Sequence, residues 1–229
     1  MEKGKIIAIE GIDSVGKSTQ IRLLKKALLE NGIRTIDQHF PNYEDFSSTF
    51  ANAYLENKYA IGKFNEKNRQ NPYFVHMQFA TDFKETWENH LKAEYENGTV
   101  ILLDRYVLSA FIYQGALLKT LEEKKAFIKY LEDLDFNKLE LMRPDLNLFL
   151  TAPYDVITSV RVERNNNDST KLDRHEESEE YMRQVYDNAN TIASITECEI
   201  VNCSQDGKLK DEQSIHQDIL TRVRKIINK

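Results

Sequence analysis

Short, β-branched apolar runs alternate along this chain with longer stretches of helical period. Lys5–Glu10 is brief, apolar and uninterrupted, which predicts a strand buried on both faces. Ser18–Glu30 puts Ile21, Leu24 and Leu28 on one side at helical spacing and stops at Asn31-Gly32, a helix-ending pair. Arg34–Phe40 and Thr99–Asp104 read as further strands, the latter with the continuous Val-Ile-Leu-Leu of a sheet interior. Between them, Asn65–Glu96 reads as helical for most of its length, with Phe74, Met77, Phe79, Phe83, Trp87 and Leu91 as its apolar positions. Leu121–Leu134, Tyr154–Val162, Arg174–Ile195 and Asp211–Ile227 read as helices, and Leu146–Leu150 and Glu199–Asn202 as strands.

This alternation, with a beat of roughly 30 residues, predicts an α/β fold with five parallel strands covered by helices on both faces. In such sheets ligands sit beyond the carboxyl ends of the strands, so the loops after Glu10, Phe40 and Asp104 should surround one site. At 229 residues, one domain spanning 1–229 is expected, with a polar segment at about 161–176 as a lid between two helices. The formal net charge of −6 argues against bulk-charge binding of nucleic acid. No apolar run approaches the roughly 20 residues that span a bilayer, and Met1–Lys5 leads straight into a strand with no secretory apolar region. Cys198 and Cys203 are the only cysteines, too few for a disulfide framework. A cytoplasmic globular protein is the expectation.

The chemistry begins at Gly11-Ile-Asp-Ser-Val-Gly16-Lys17-Ser18-Thr19, which fits the phosphate-binding pattern G-x-x-x-x-G-K-[ST] between a strand and an amphipathic helix. Gly11 and Gly16 let the backbone of Ser14 and Val15 turn its N–H groups toward phosphate oxygens. The following helix adds positive potential at its N-terminus, where Thr19 also lies. Lys17 is placed to reach the terminal phosphates and Ser18 to offer an oxygen to Mg²⁺. GTPases, kinases and motors all share this loop; the N-K-x-D pattern of guanine readers is absent.

Five matches in order resemble the thymidylate kinase family. They are Glu10-Gly-Ile-Asp13 entering the phosphate loop, Phe40-Pro-Asn-Tyr43, Asp104-Arg-Tyr106 with Ser109, Tyr113, Gln114 and Gly115, Arg143-Pro-Asp-Leu146, and Lys171-Leu-Asp-Arg-His-Glu176. The resemblance implies that Mg²⁺ and ATP serve to convert dTMP to dTDP. It places Asp13 near the acceptor phosphate, the sugar 3′-hydroxyl or Mg²⁺, and Arg105 on the acceptor phosphate, where a forked guanidinium suits better than an ammonium. Asp104 would position Mg²⁺ through water or hold the acceptor. Phe79 would stack on thymine, Phe40, Tyr43 and Phe83 would shape its pocket, and Ser109, Tyr113 and Gln114 would close over sugar and base. The phosphate loop contains no arginine, so the lid cations Arg164, Lys171 and Arg174 would stabilise the transferring group, with Arg161 along the adenine face and Glu176 assisting Mg²⁺. The apolar stripe of the long helix would form a homodimer interface.

The sequence departs from the family at the acceptor base. Phe83 stands where relatives usually carry an arginine that donates to the thymine 4-keto oxygen, and Ala110 where some carry asparagine. Lys84, a water or another side chain would then have to read the base, or base choice would relax. The five histidines (39, 76, 90, 175 and 216) show no metal-ligand spacing and read as structural or surface residues. A related nucleoside monophosphate kinase, a deoxynucleoside kinase and a non-catalytic ATP-binding module remain the competing readings.

Overall fold

The computed structural model describes residues 2–56, 58, 71–167 and 179–228, and their side chains except at 164–167. Strands β1 (Ile6–Gly11), β2 (Thr35–His39), β3 (Val100–Asp104), β4 (Leu146–Thr151) and β5 (Glu199–Asn202) form one sheet in the order β2-β3-β1-β4-β5. Every pairing is parallel. Two of the interior strands, β1 and β3, are buried at every residue, as their unbroken apolar runs require. A two-stranded hairpin, β6 (Ser204–Gln205) and β7 (Lys208–Leu209), follows β5.

Helix α1 (Lys17–Glu30) buries Ile21, Leu24 and Leu28. Helix α2 (Thr49–Leu55), which the hydrophobic pattern did not reveal, packs on α3 (Pro72–Thr86). Asn71 caps α3, accepting from the Tyr73 and Phe74 N–H groups, with Pro72 in the first turn, where its missing N–H costs nothing. The helical path then runs through a π-helical turn at Trp87–Leu91 into α4 (Lys92–Glu96). Helix α5 (Val107–Tyr113) follows β3 directly. Thr120 and Glu123 close a capping box at the start of α6 (Leu121–Glu132), which ends in a second π-helical turn, Asp133–Lys138. Helices α7 (Tyr154–Asn167), α8 (Glu179–Ile195) and α9 (Glu212–Ile227) complete the order.

One helix end is corrected. The helix expected over Tyr154–Val162 continues to Asn167, so the first residues of the 161–176 segment are helical. The polar Asn165-Asn166-Asn167 run suggested a loop, but Val156, Ile157 and Arg161 form one buried side and carry the helix onward.

Candidate active site

The carboxyl ends of β1, β2 and β3 meet at one edge of the sheet. At the end of β1 the chain turns sharply. Gly11 takes φ 148°, and a Cβ there would lie 2.6 Å from the Leu150 carbonyl oxygen, so no larger residue fits. Gly16 takes φ 97° and caps α1 without a side-chain hydrogen bond, which leaves the first N–H groups of α1 available to an anion. The Val15 side chain is fully buried, so only its backbone can serve a phosphate. The Ser14 hydroxyl is buried without a partner among the described residues. Lys17 is 7% exposed, and its ammonium donates to the Ile12 carbonyl at 2.9 Å. Burial, reinforced by the Arg105 charge, lowers its pKa to about 8.

Across from this loop, β3 ends in Asp104 and Arg105. Arg105 sits at φ 70°, and its guanidinium donates to the Asp13 carboxylate, to the Gly11 carbonyl at 3.3 Å and to the Tyr113 hydroxyl at 3.4 Å. The Tyr113 hydroxyl donates in turn to Asp13 at 2.7 Å. Burial works against the Arg105 charge, but Asp13 overrides it and holds the guanidinium firmly protonated. Thus the phosphate loop and the turn after β3 touch through one carboxylate and one guanidinium.

Ser18 donates to Asp104 at 3.2 Å, and the other oxygen of Asp104 is buried with no partner among the described residues. Burial opposes ionisation of Asp104, yet His39, Lys17 and Arg105 keep its pKa below the usual carboxylate value. An ionised carboxylate with a spare oxygen beside a helix-terminal hydroxyl fits the oxygen chemistry of Mg²⁺. His39, read from sequence as bland, places Nδ1 3.1 Å from Asp104 and stacks on Tyr43 with ring centroids 5.5 Å apart. Its signal was position alone: it is the last residue of β2.

A cavity of about 150 Å³ opens beside Arg105. All nine residues expected around the acceptor line it. Asp13, Arg105, Ser109, Tyr113 and Gln114 give its polar side, and Phe40, Tyr43, Phe79 and Phe83 its aromatic side. Residues 106, 109, 110, 113 and 114 present one face of α5 to it at helical spacing. Phe83 is 3% exposed and meets Phe40 edge-on with centroids 4.8 Å apart. Lys84 does not compensate for it: its ammonium pairs with Glu88 at 2.7 Å, outside the cavity lining. Gln114 is 4% exposed, lines the cavity and has no side-chain hydrogen bond to the described residues.

Behind the cavity, the fully buried Glu10 accepts from the Tyr106 N–H at 2.7 Å and the Ser109 hydroxyl at 2.6 Å. Sequence reading passed over these contacts, because Glu10 and its partners are almost 100 residues apart. Arg161 faces Glu179, which also accepts from the Tyr154 hydroxyl, so this arginine ties α7 to α8. The Arg164 side chain, Lys171, Arg174 and Glu176 lie outside the described residues.

A family model described as thymidylate kinase matches residues 9–219. The chain belongs to the thymidylate kinase family. The thymidylate kinase of Caldicellulosiruptor saccharolyticus is 27% identical over 99% of this chain and 97% of its own length. That of Plasmodium falciparum is 28% identical, over 98% and 92% respectively. The solved structure of the Candida albicans thymidylate kinase aligns at a TM-score of 0.70 and 22% identity, covering 98% of this chain and 94% of that one. At that identity it shows the shared fold.

Proposed function

We infer that this chain transfers the γ-phosphoryl group of ATP to the 5′-phosphate of dTMP, giving ADP and dTDP. The observation that carries this reading is the junction of Arg105, Asp13 and Gly11, which brings a cavity with one aromatic and one polar side against a phosphate loop. Phosphoryl transfer of this kind needs two anions held in line and positive charge spread over the moving group.

The N-terminus of α1 and the backbone of residues 11–19 hold the ATP phosphates. Lys17 exchanges the Ile12 carbonyl for phosphate oxygens. Arg105 exchanges Asp13 for the acceptor phosphate, and its fork grips two oxygens at once. Asp13, so released, accepts from the sugar 3′-hydroxyl or from water beside Ser18. Thymine lies against Phe79, beside the packed Phe40–Phe83 pair, with the Gln114 amide as its hydrogen-bonding neighbour. Ser18 and Asp104 would hold Mg²⁺, which when bound neutralises phosphate charge. The lid, about 161–176, brings Arg164, Lys171 and Arg174 to the transferring group, while Arg161 braces its base. The whole chain, 1–229, works as one domain in this reading.

Two further features belong to the same proposal. Phe74 and Met77 are 42% and 56% exposed on α3 and would meet a second copy in a homodimer. No described helix is long and apolar enough to cross a membrane, and a cytoplasmic site of action fits a nucleotide kinase. The test is a coupled ADP-release assay with ATP across dTMP, dUMP, dCMP, dGMP and thymidine. The reading predicts that dTMP has the highest kcat/KM and that thymidine is inert. Phosphorylation of thymidine, or ATP turnover indifferent to all five, would overturn it.

A further inference from the structure

Glu10 is a carboxylate with no solvent access, one residue before the phosphate loop, yet no step above uses it. Its two oxygens are spoken for by the same short segment. One accepts from the Tyr106 N–H at 2.7 Å, the other from the Ser109 hydroxyl at 2.6 Å. Tyr106 is the N-cap residue of α5, and no side chain of its own segment caps that helix. The cap therefore comes from a different strand, and it is charged, which suits the positive end of a helix.

The residue between strand and cap is Arg105. Its N–H still follows the sheet, donating to the Ile9 carbonyl at 3.2 Å, and its φ of 70° then reverses the chain. A non-glycine residue in that region is strained and persists only where its surroundings over-determine it. Glu10 supplies that determination on the far side of the turn. The direction of the guanidinium follows from the turn: toward Gly11, Asp13 and Tyr113.

We propose that Glu10 is a positioning residue whose buried carboxylate holds the turn between β3 and α5 and so aims Arg105 at the acceptor phosphate. This rests on the reading above of Arg105 as the acceptor's phosphate ligand. The hydrogen bonds are to the acceptor side only, because Tyr106 and Ser109 both line the acceptor cavity, whereas the Lys17 ammonium is held by the Ile12 carbonyl. Losing the clamp therefore damages acceptor binding before ATP binding.

The charge of Glu10 matters too. Facing it are Lys17 from the phosphate loop, Arg105, Tyr106 and Ser109 from the β3 turn and α5, and Cys198 from the approach to β5. Burial, partly offset by Ser109 and Arg105, raises the Glu10 pKa to about 7. Above that pH an ionised Glu10 competes with a dianionic phosphate for the field of Arg105; below it, the neutral acid keeps both hydrogen bonds without the competition.

The experiment is steady-state kinetics on the full chain with ATP and dTMP varied separately, for wild type, Glu10→Ala and Glu10→Gln, from pH 5.5 to 8.5. Glu10→Ala should raise KM for dTMP at least tenfold while KM for ATP stays within threefold. Glu10→Gln can accept from the Tyr106 N–H and donate to the Ser109 oxygen, and should bring KM for dTMP back within threefold of wild type at pH 6. The wild-type to Glu10→Gln ratio of KM for dTMP, in which the substrate's own ionisation cancels, should climb several-fold between pH 6 and 8.5. If Glu10→Ala fails to fold, that ratio decides the matter alone. KM values for both substrates that move together, or a ratio flat across the range, would overturn the proposal while the kinase reading stands. Wild type inert toward dTMP would overturn both.

Discussion

Replacing Arg105 by lysine isolates the value of a forked donor from that of charge. The backbone cost at φ 70° is the same for either side chain, and the net charge does not change. What changes is geometry. The guanidinium reaches Asp13, the Gly11 carbonyl and the Tyr113 hydroxyl from two nitrogens, and 16% of its side chain is exposed. An ammonium can serve the acceptor phosphate from one point only. A hydrogen bond involving a charged group contributes about 1.5–3 kcal/mol, and more of that survives where water is excluded. Losing one arm of the fork, with some misalignment of the other, should cost about 3 kcal/mol. At about 1.4 kcal/mol per decade, kcat/KM for dTMP should fall by about 10²-fold. The assay is initial-rate ADP release with dTMP varied at saturating ATP, then ATP varied at saturating dTMP. KM for ATP should stay within threefold, and the melting temperature within a few degrees. A kcat/KM for dTMP within threefold of wild type would refute the assignment of Arg105 to the acceptor phosphate.

Other consequences follow from single contacts. Gly11→Ala drives a Cβ against the Leu150 carbonyl in the middle of the sheet, and should lower the melting temperature and abolish ATP binding measured by calorimetry. Asp135→Ala leaves His76, 0% exposed and 2.9 Å from that carboxylate, without its partner; chemical denaturation should show a loss of about 3 kcal/mol. Glu10 has a folded-state pKa of about 7 against an ordinary 4.5, so the native state holds the proton more tightly than the unfolded chain. Stability should therefore decline as pH rises from about 4.5 to 7, by about 3 kcal/mol from this group, and level off above 7. Urea unfolding of Glu10→Gln should lack that decline.

The sheet was legible because burial on both faces leaves a continuous apolar run. Ile6–Ile9 and Val100–Leu103 are such runs, and both became interior strands. The phosphate loop was legible because its glycines are demanded by backbone geometry. Helix α5 was not, for the opposite reason: Val-Leu-Ser-Ala-Phe-Ile-Tyr is buried nearly all round and so shows no amphipathic period. The π-helical turns at Trp87–Leu91 and Asp133–Lys138 have no sequence signature that differs from an ordinary helix. In the site, Lys17, Asp13, Arg105 and the aromatic residues could be named from motifs. Glu10 and His39 could not be assigned contacts, because their partners are set by strand order, which brings residue 10 beside 106 and residue 39 beside 104. The end of α7 was misplaced because the asparagines after Arg161 resemble a loop, while its packing face keeps the helix going.

The central claim is that a phosphoryl group crosses from one bound nucleotide to another at the contact between the phosphate loop and Arg105. Incubation with Mg²⁺, dTMP and ATP labelled at the γ-phosphorus, with products separated by chromatography, tests it most directly. The account predicts one labelled dTDP, with the label in its β-phosphate, for each ADP formed, and no product when dTMP is omitted. Label released as inorganic phosphate while dTMP stays unchanged would contradict it.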